Sequence, residues 1–244
     1  MQDSYIWESA SQHTALLKEE VHVWRVSLQQ PAEKILQMRQ LLSMEERARA
    51  DRFHFEKDRN HFTVARGSLR SLLGLYLQQP AANLIFQYNE HGKPDLLPRA
   101  ANGLRFNISH SHELALLAFV LDREIGVDLE YQRPNVEFDQ IARHSFSPDE
   151  QNRLRPLPPN LKQQAFYRCW SRKEAYIKAR GKGLWIALKD FDVSFLADEP
   201  VRILANREDN RHWFLYDLPP HPQYAGALAI EGLISSIRSR DWQP

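Results

Sequence analysis

The longest uninterrupted apolar run of the chain, LALLAFVL at residues 114–121, limits what the chain can fold into. Asp122, Arg123 and Glu124 end the run at once. A membrane-spanning helix needs about 20 apolar residues, so this run is too short to cross a bilayer. It has the length and composition of a strand, and it therefore predicts a strand within a soluble protein.

The charges of the chain are almost balanced. Its 244 residues include 32 Lys and Arg and 31 Asp and Glu, so the formal net charge is +1. Sequence-independent binding of nucleic acid needs a strongly basic face, and we expect no nucleic-acid partner. The single cysteine, Cys169, can form neither an intramolecular disulfide nor a cysteine-based metal cluster, and we expect it to be a buried apolar residue.

The first twenty residues contain no basic region followed by an apolar run. We therefore expect no signal peptide, no membrane partner and a cytoplasmic protein.

The hydrophobic pattern predicts an α+β fold. Ser43 with Glu46, and Ser147 with Glu150, have the spacing of capping boxes that begin helices. The predicted helices lie at 31–42, 43–53, 58–77 and 161–179, and the predicted strands lie at 21–28, 84–88, 104–108, 114–121, 125–130, 190–195, 201–204, 212–216 and 224–231. This order indicates two α/β halves, at 1–122 and 123–244.

The strand sequence GVDLE at 126–130 places two carboxylates on one face. Side chains alternate along a strand, so Asp128 and Glu130 point one way while Val127 and Leu129 point toward the core. Neighbouring carboxylates repel unless a positive charge lies between them. The pair is either a site for a hard cation such as Mg²⁺ or the acidic face of a half-exposed strand.

The predicted long helix carries Trp170, Glu174 and Lys178 at spacings of four residues, which places them on one stripe. The acid and the base are either a functional pair or an ordinary helical ion pair above a packed tryptophan. With Asp128 and Glu130, Glu174 would complete a set of three carboxylates suited to metal-assisted chemistry at a pyrophosphate. Spacing alone does not show that the strand and the helix meet.

Five sequence blocks resemble the motifs of the Sfp-type 4′-phosphopantetheinyl transferases, in the same order. The two most specific are GVDLE at 126–130 and WSRKEAYIK at 170–178, which are similar to the family patterns (I/V)-G-(I/V)-D-(I/L)-E and W-x-x-K-E-(A/S)-x-x-K. The others are FNISHS at 106–111, GKP at 92–94 and the basic segment ERARADRF at 46–53. Together the blocks extend over residues 44–184.

The resemblance implies an enzyme that transfers the 4′-phosphopantetheine arm of coenzyme A to a serine hydroxyl of an apo carrier protein. The other product is adenosine 3′,5′-bisphosphate. The acceptor is an acyl carrier protein or a peptidyl or polyketide carrier domain. The family fold consists of two similar halves with pseudo-two-fold symmetry and coenzyme A in the cleft between them, and members of this length are monomers.

The resemblance also assigns the catalytic end of the site. Asp128, Glu130 and Glu174 would hold Mg²⁺, with Mn²⁺ as the alternative, and Glu130 would bind directly or through water. Glu174 would accept the serine proton, either itself or through a metal-bound water. Lys178 would contact the pyrophosphate and assist the leaving group.

The upstream blocks are implied to bind the nucleotide end of coenzyme A. The implied binding residues are Arg49 at the 3′-phosphate, Gly92, Lys93 and Pro94 at the adenine, and Asn107, Ser109 and His110. Of the last three, His110 would contact phosphate. His61 departs from the family, since many relatives have arginine there. If His61 contacts phosphate, binding weakens as the pH rises. For the carrier, the family uses the segment after the strand, here 132–146, where Arg133 and Arg143 could attract an acidic partner.

Three other functions compete with this interpretation. A non-enzymatic module could bind coenzyme A or an acidic protein through its basic helix. A Mg²⁺-dependent hydrolase of nucleotide pyrophosphates would share the carboxylates but needs no carrier surface. A member without activity is disfavoured by the presence of Asp128, Glu174 and Lys178.

Overall fold

A computed structural model of the protein describes residues 7–9, 15–90, 92–100, 102–134, 136–181, 187–206 and 211–244. Its helices are α1 (Ala32–Leu41), α2 (Met44–Asp51), α3 (Glu56–Leu77), α4 (Phe138–Ser145), α5 (Pro148–Leu154) and α6 (Pro159–Arg180). Its strands are β1 (Glu8–Ser9), β2 (Glu20–Ser27), β3 (Phe86–Tyr88), β4 (Pro94–Leu96), β5 (Leu104–Ser111), β6 (Leu114–Leu121), β7 (Ile125–Tyr131), β8 (Phe191–Val193), β9 (Ile203–Asn206), β10 (Trp213–Asp217), β11 (Tyr224–Glu231) and β12 (Ser236–Trp242). The predicted α+β class is confirmed.

The first half is a five-stranded sheet in the order β1-β12-β2-β6-β5. The apolar run forms β6 and lies between β2 and β5, so the strand prediction is confirmed. Helix α3 buries Val64, Leu69 and Leu72 in the same core as Leu117 and Phe119 of β6. Burial of this apolar surface fixes the helix against the sheet.

Strand β12 lies in this first sheet although it comes from the end of the chain. It pairs in parallel with β2, from Ser236 opposite Glu20 to Trp242 opposite Val26. The sequence reasoning predicted no strand after 231, because SIRSRDW has too few apolar residues to form a recognisable pattern. Pairing with a strand more than 200 residues earlier holds the segment in place.

The second half is an antiparallel sheet in the order β10-β11-β7, covered by α6. A side chain at Gly126 would place its Cβ 2.1 Å from the carbonyl oxygen of Ala175 and 2.3 Å from the amide of Ala179, so glycine permits the close contact of β7 and α6. Each half thus packs one helix of 22 residues on a sheet, which agrees with two similar halves. The boundary between 122 and 123 stays a prediction.

Side chains of β5 join the two halves. The amide oxygen of Asn107 accepts a hydrogen bond from the backbone N–H of Val127 at 2.9 Å, and the Ser111 hydroxyl accepts one from Tyr131 N–H at 3.0 Å. These bonds satisfy backbone groups of β7 that have no strand partner on this side. They hold β7, and with it Asp128, against the first half.

The sequence signals for helix ends are confirmed. Ser43 and Ser147 both form complete capping boxes. Gly181 ends α6 with a positive φ of 64°, a conformation that glycine adopts readily. Within the described ranges, no helix combines the length and apolar character needed to cross a bilayer.

Candidate active site

A cavity of about 380 Å³ lies between helices α2 and α3 of the first half and α6 of the second. Eight of the predicted site residues line it: Arg49, Gly92, Lys93, Pro94, Asn107, His110, Glu174 and Lys178. Two others, Ser109 and Asp128, are hydrogen-bonded to Lys178. The fold therefore gathers residues that are more than a hundred positions apart in the chain.

The predicted stripe on α6 is present. Trp170, Glu174 and Lys178 are partly exposed, whereas residues 171–173 and 175–177 between them are buried. Glu174 and Lys178 reach the cavity from this stripe. A helix buried on its other sides thus presents one acid and one base to the open space.

Lys178 connects the two sequence motifs. Its ammonium group donates to Asp128 Oδ1 at 2.6 Å and to the Ser109 hydroxyl at 2.8 Å. The same hydroxyl donates to Asp128 Oδ1 at 3.1 Å. Asp128 is only 2% exposed, so it lies against α6 and not on a half-exposed strand face. Its second oxygen, Oδ2, is buried and has no hydrogen-bond partner in the described ranges.

The pKa values of two of the three predicted carboxylates are raised. Burial raises the pKa of Glu130 to about 7, with a further contribution from the charge of Asp128 and a smaller one from Glu174. Burial also raises the pKa of Glu174, again helped by Asp128, while Lys178 opposes the shift. The ionised forms of Glu130 and Glu174 are therefore disfavoured, and a cation between them and Asp128 would relieve this.

The predicted metal set has the right chemistry but is not assembled as a coordination site. Among the residues that the structure describes, no group of three or more His, Cys, Asp or Glu side chains is arranged to hold a metal ion. The Lys178 ammonium takes one oxygen of Asp128 instead. Asp128 Oδ2, which has no hydrogen-bond partner among the described residues, and the raised pKa values of Glu130 and Glu174 fit a hard cation, which oxygen ligands suit.

The predicted GKP turn lies beside the end of α6. Gly92 has a φ of 78°, which favours glycine. The Lys93 ammonium donates to the carbonyl oxygens of Ile125 at 3.3 Å and Ala179 at 3.4 Å, and it pairs with Glu124 at 3.5 Å. Burial lowers the pKa of Lys93. Lys93 thus joins the turn to both β7 and α6.

The basic residues of the cavity come from α2, α3, the GKP turn, β5 and α6. Arg49 of α2 lies over the ring of Phe62, 5.4 Å from its centroid. His110 is accessible from the cavity. Desolvation by the neighbouring residues, followed by the charge of Lys178, lowers the pKa of His110. His61 is not among the lining residues, and burial followed by the charge of Lys57 lowers its pKa. His61 is therefore less able to act as a cation near neutral pH than an exposed histidine.

Sequence reasoning missed Arg66, which also lines the cavity. This arginine lies in the middle of α3, and its exposed fraction is 8%. The sequence does contain a feature that could have identified it. Arg66 follows Phe62 by four residues, so the helical pattern places this charged residue on the buried side of α3. Such a residue is rarely buried without a charged partner or a ligand.

Comparisons with known proteins agree with the motifs. A family model described as the 4′-phosphopantetheinyl transferase superfamily matches residues 124–229, and one described as 4′-phosphopantetheinyl transferase, N-terminal, matches residues 24–121. The 4′-phosphopantetheinyl transferase HetI of Nostoc is 39% identical over 98% of this chain and 97% of its own. The 4′-phosphopantetheinyl transferase Sfp of Bacillus subtilis is 33% identical over 66% of this chain and 70% of its own.

A holo-(acyl-carrier-protein) synthase from Bacillus anthracis, solved in complex with coenzyme A, matches 45% of this chain and 96% of its own at 20% identity and a TM-score of 0.39. The family models match both halves, and the match to HetI extends over nearly the whole of both proteins. The chain therefore belongs to the 4′-phosphopantetheinyl transferase superfamily.

Proposed function

We propose that this protein transfers the 4′-phosphopantetheine group of coenzyme A to a serine hydroxyl of an apo acyl, peptidyl or polyketide carrier protein. The observation that carries the proposal is the contact of Asp128 with Lys178, which lines a cavity formed by both halves. The names of the relatives HetI and Sfp support the same activity. In the reaction, the serine oxygen forms a bond to phosphorus and the bond to the bridging pyrophosphate oxygen breaks.

Glu174 is the proposed general base. A serine hydroxyl is a weak nucleophile until a base takes its proton. A carboxylate with a raised pKa accepts a proton more readily than an ordinary one, and burial together with Asp128 raises that of Glu174. Only the ionised form accepts the proton, so transfer is expected to increase as the pH rises through this raised pKa.

Lys178 is the proposed electrostatic partner of the pyrophosphate. Its ammonium group can stabilise the negative charge that develops on the leaving oxygen of adenosine 3′,5′-bisphosphate. Asp128, Glu130 and Glu174 are the proposed ligands of Mg²⁺ or Mn²⁺. The bound ion would supply positive charge at the pyrophosphate. Asp128 has one oxygen on Lys178 and the other without a partner in the described part of the chain, so it can serve both cations.

The nucleotide end of coenzyme A is proposed to lie at the wall formed by α2, β5 and the GKP turn. Arg49 and His110 would contact phosphate there, because guanidinium and imidazole groups donate hydrogen bonds to anions. Gly92, Lys93 and Pro94 would contact the adenine. Asn107 and Ser109 would bind coenzyme A from β5, where both already form hydrogen bonds to β7.

The carrier protein is proposed to dock beside α4. Arg133 and Arg143 are exposed there, before and within that helix, and can attract an acidic carrier. We further propose that the enzyme acts as a monomer, since both halves of the site belong to one chain. The proposed location is the cytoplasm.

The test is intact-mass spectrometry of an apo carrier protein incubated with this protein, coenzyme A and Mg²⁺. We expect the carrier to gain one phosphopantetheine, and we expect EDTA to prevent the gain. Coenzyme A cleaved without modification of any carrier would instead indicate a hydrolase. Coenzyme A bound without turnover, across acyl, peptidyl and polyketide carriers, would indicate a binding module.

A further inference from the structure

The C-terminal end of α6 carries Lys178 and is held in part by side chains from the other half of the protein. The last carbonyl groups of a helix have no partner within the helix, so its final turn depends on groups outside it. The Gly181 N–H donates to the carbonyl oxygens of Ile177 at 3.1 Å and Lys178 at 3.3 Å. The carbonyl oxygens of Ala179 and Gly181 accept hydrogen bonds from side chains of the first half.

Asn89 connects the GKP turn to this end of α6 through both polar atoms of its side-chain amide. Its Oδ1 accepts a hydrogen bond from the backbone N–H of Lys93 at 2.8 Å, and its Nδ2 donates to the carbonyl oxygen of Gly181 at 2.7 Å. The backbone N–H of Asn89 also donates to the Lys93 carbonyl oxygen at 3.1 Å. The acceptor atom of the amide thus supports the turn, and the donor atom supports the end of the helix.

The Lys93 ammonium lies beside the close contact of β7 and α6. It donates to the carbonyl oxygens of Ile125 at 3.3 Å and Ala179 at 3.4 Å, and these two residues belong to the two elements that meet at Gly126. A cation is favourable at a helix C-terminus because the helix dipole is negative there. Glu124, at 3.5 Å, offsets the charge of the ammonium. Lys93 therefore fixes the last turn of α6 against the start of β7.

Lys178 directly precedes Ala179, so the position of its side chain depends on how the last turn of α6 is held. The Lys178 ammonium lies 2.6 Å from Asp128 Oδ1, and Lys178 lines the same cavity as the GKP turn. A displacement of about 1 Å at a group that acts on the reacting atoms can cost about 100-fold in rate. Loosening of the last helical turn would therefore reach the proposed catalytic end.

We propose that Asn89 and Lys93 are positioning residues, whose side chains hold Lys178 in place for the transfer from the opposite half of the protein. The inference rests on the proposed function, in which Lys178 stabilises the charge of the leaving oxygen. The same turn is proposed to contact the adenine, so it would connect the nucleotide end of the site to the catalytic end.

The variant Asn89→Asp separates the two roles of the amide. It keeps an oxygen that accepts from the Lys93 N–H, but it replaces the donor by a second oxygen that faces the Gly181 carbonyl. We expect kcat, at saturating coenzyme A and apo carrier protein, to fall about fivefold or more. Because the turn is retained, the dissociation constant of coenzyme A should stay within about twofold of the wild type in isothermal titration calorimetry without carrier. Asn152→Asp, at an exposed asparagine of α5, is the matched control and should change neither quantity.

The dependence on Lys178 is tested by the same substitution in the Lys178→Met background. There is then no ammonium group to position, so Asn89→Asp should lower the remaining kcat by less than about twofold. Intact-mass spectrometry of the carrier over time would measure these slow rates. An equal fold-loss of kcat in both backgrounds would show that Asn89 supports the fold and does not act through Lys178, and it would overturn the proposal.

Failure of the proposed function gives a different result. A wild type that modifies no carrier would overturn both proposals, whereas a wild type that transfers the group together with an Asn89→Asp variant of equal kcat would overturn only the positioning role. If Asn89→Asp does not fold, Lys93→Met replaces it, since this variant removes the ammonium from the carbonyls of Ile125 and Ala179 and keeps Asn89. The same pattern of kcat losses is expected, and a folded Lys93→Met with the wild-type kcat would contradict the proposal.

Discussion

The ammonium group of Lys178 lies 2.6 Å from Asp128 Oδ1, and this contact joins the strand motif to the helix motif. Neither residue is placed by its own element alone. Asp128 reaches α6 because Gly126 lets the helix approach β7 closely. Lys178 reaches β7 from the partly exposed stripe of α6 that also carries Glu174. The pair is the structural basis of the proposed catalytic end.

Replacement of Lys178 by methionine is expected to slow the transfer. The variant retains most of the side-chain length but cannot stabilise the leaving oxygen, so we expect kcat to fall by about 100-fold or more. Steady-state kinetics with an apo carrier would measure it. Lys18→Met, at an exposed lysine, is the matched control and should keep the wild-type kcat. A Lys178→Met enzyme with the kcat of this control would contradict the role of Lys178.

Lys173, next to Glu174 in the motif, is expected to act on stability. Its ammonium is fully buried and lies 2.7 Å from Glu150, which is 1% exposed. Lys173→Met would leave that carboxylate buried without its partner and should lower the free energy of unfolding by about 3–5 kcal/mol. The double variant with Glu150→Gln should lose less, because the buried charge is removed as well. Urea denaturation measures both, and equal losses would refute the pairing.

Protonation of His22 is expected to destabilise the fold in mild acid. Burial, with the charge of Arg240, lowers the pKa of His22 to about 4 from its usual 6.5. Between these values the unfolded chain binds a proton that the folded chain does not, so stability falls as the pH falls from 6.5 to 4. The loss attributable to this residue is at most about 3 kcal/mol.

Urea denaturation of the wild type and His22→Gln at several pH values would measure this contribution. The amide of glutamine can still hydrogen-bond to the Tyr76 hydroxyl, which lies 2.6 Å from His22 Nδ1. We expect the variant to lose less stability than the wild type over the same pH interval. Identical pH profiles would show that His22 does not titrate as described.

Charge reversal beside α4 is expected to weaken carrier recognition. The double variant Arg133→Glu, Arg143→Glu should raise the KM for an acidic carrier and leave kcat unchanged, because both residues are exposed and lie on the proposed docking face. Added salt should reduce the difference by screening. Lys18→Glu is the control for an exposed charge elsewhere. An unchanged KM would remove Arg133 and Arg143 from the docking surface.

Local patterns predicted the elements that carry the site. The capping residues Ser43 and Ser147 and the stop at Gly181 depend on chemistry within a few residues of the chain. The stripe of Glu174 and Lys178 follows from the helical period. For these features sequence spacing is sufficient, because the determining contacts are local.

Other features depend on contacts between distant segments. Strand β12 forms because β2 offers it a parallel partner. The burial of Asp128 depends on α6, and the inclusion of Arg66 in the cavity depends on rings from α3 and β3. Side-chain alternation could place Asp128 and Glu130 on one face, but it could not show that Asp128 is covered by a helix. These pairings lie outside what spacing can determine.

The most direct test of the central claim is the mass of an apo carrier protein after incubation with coenzyme A, Mg²⁺ and either the wild type or Glu174→Gln. Glutamine has nearly the same shape as glutamate but cannot accept the serine proton. The account predicts that the wild type adds one phosphopantetheine per carrier and that Glu174→Gln, although folded, adds it at least about 100-fold more slowly. Equal rates of modification by the two proteins would contradict it.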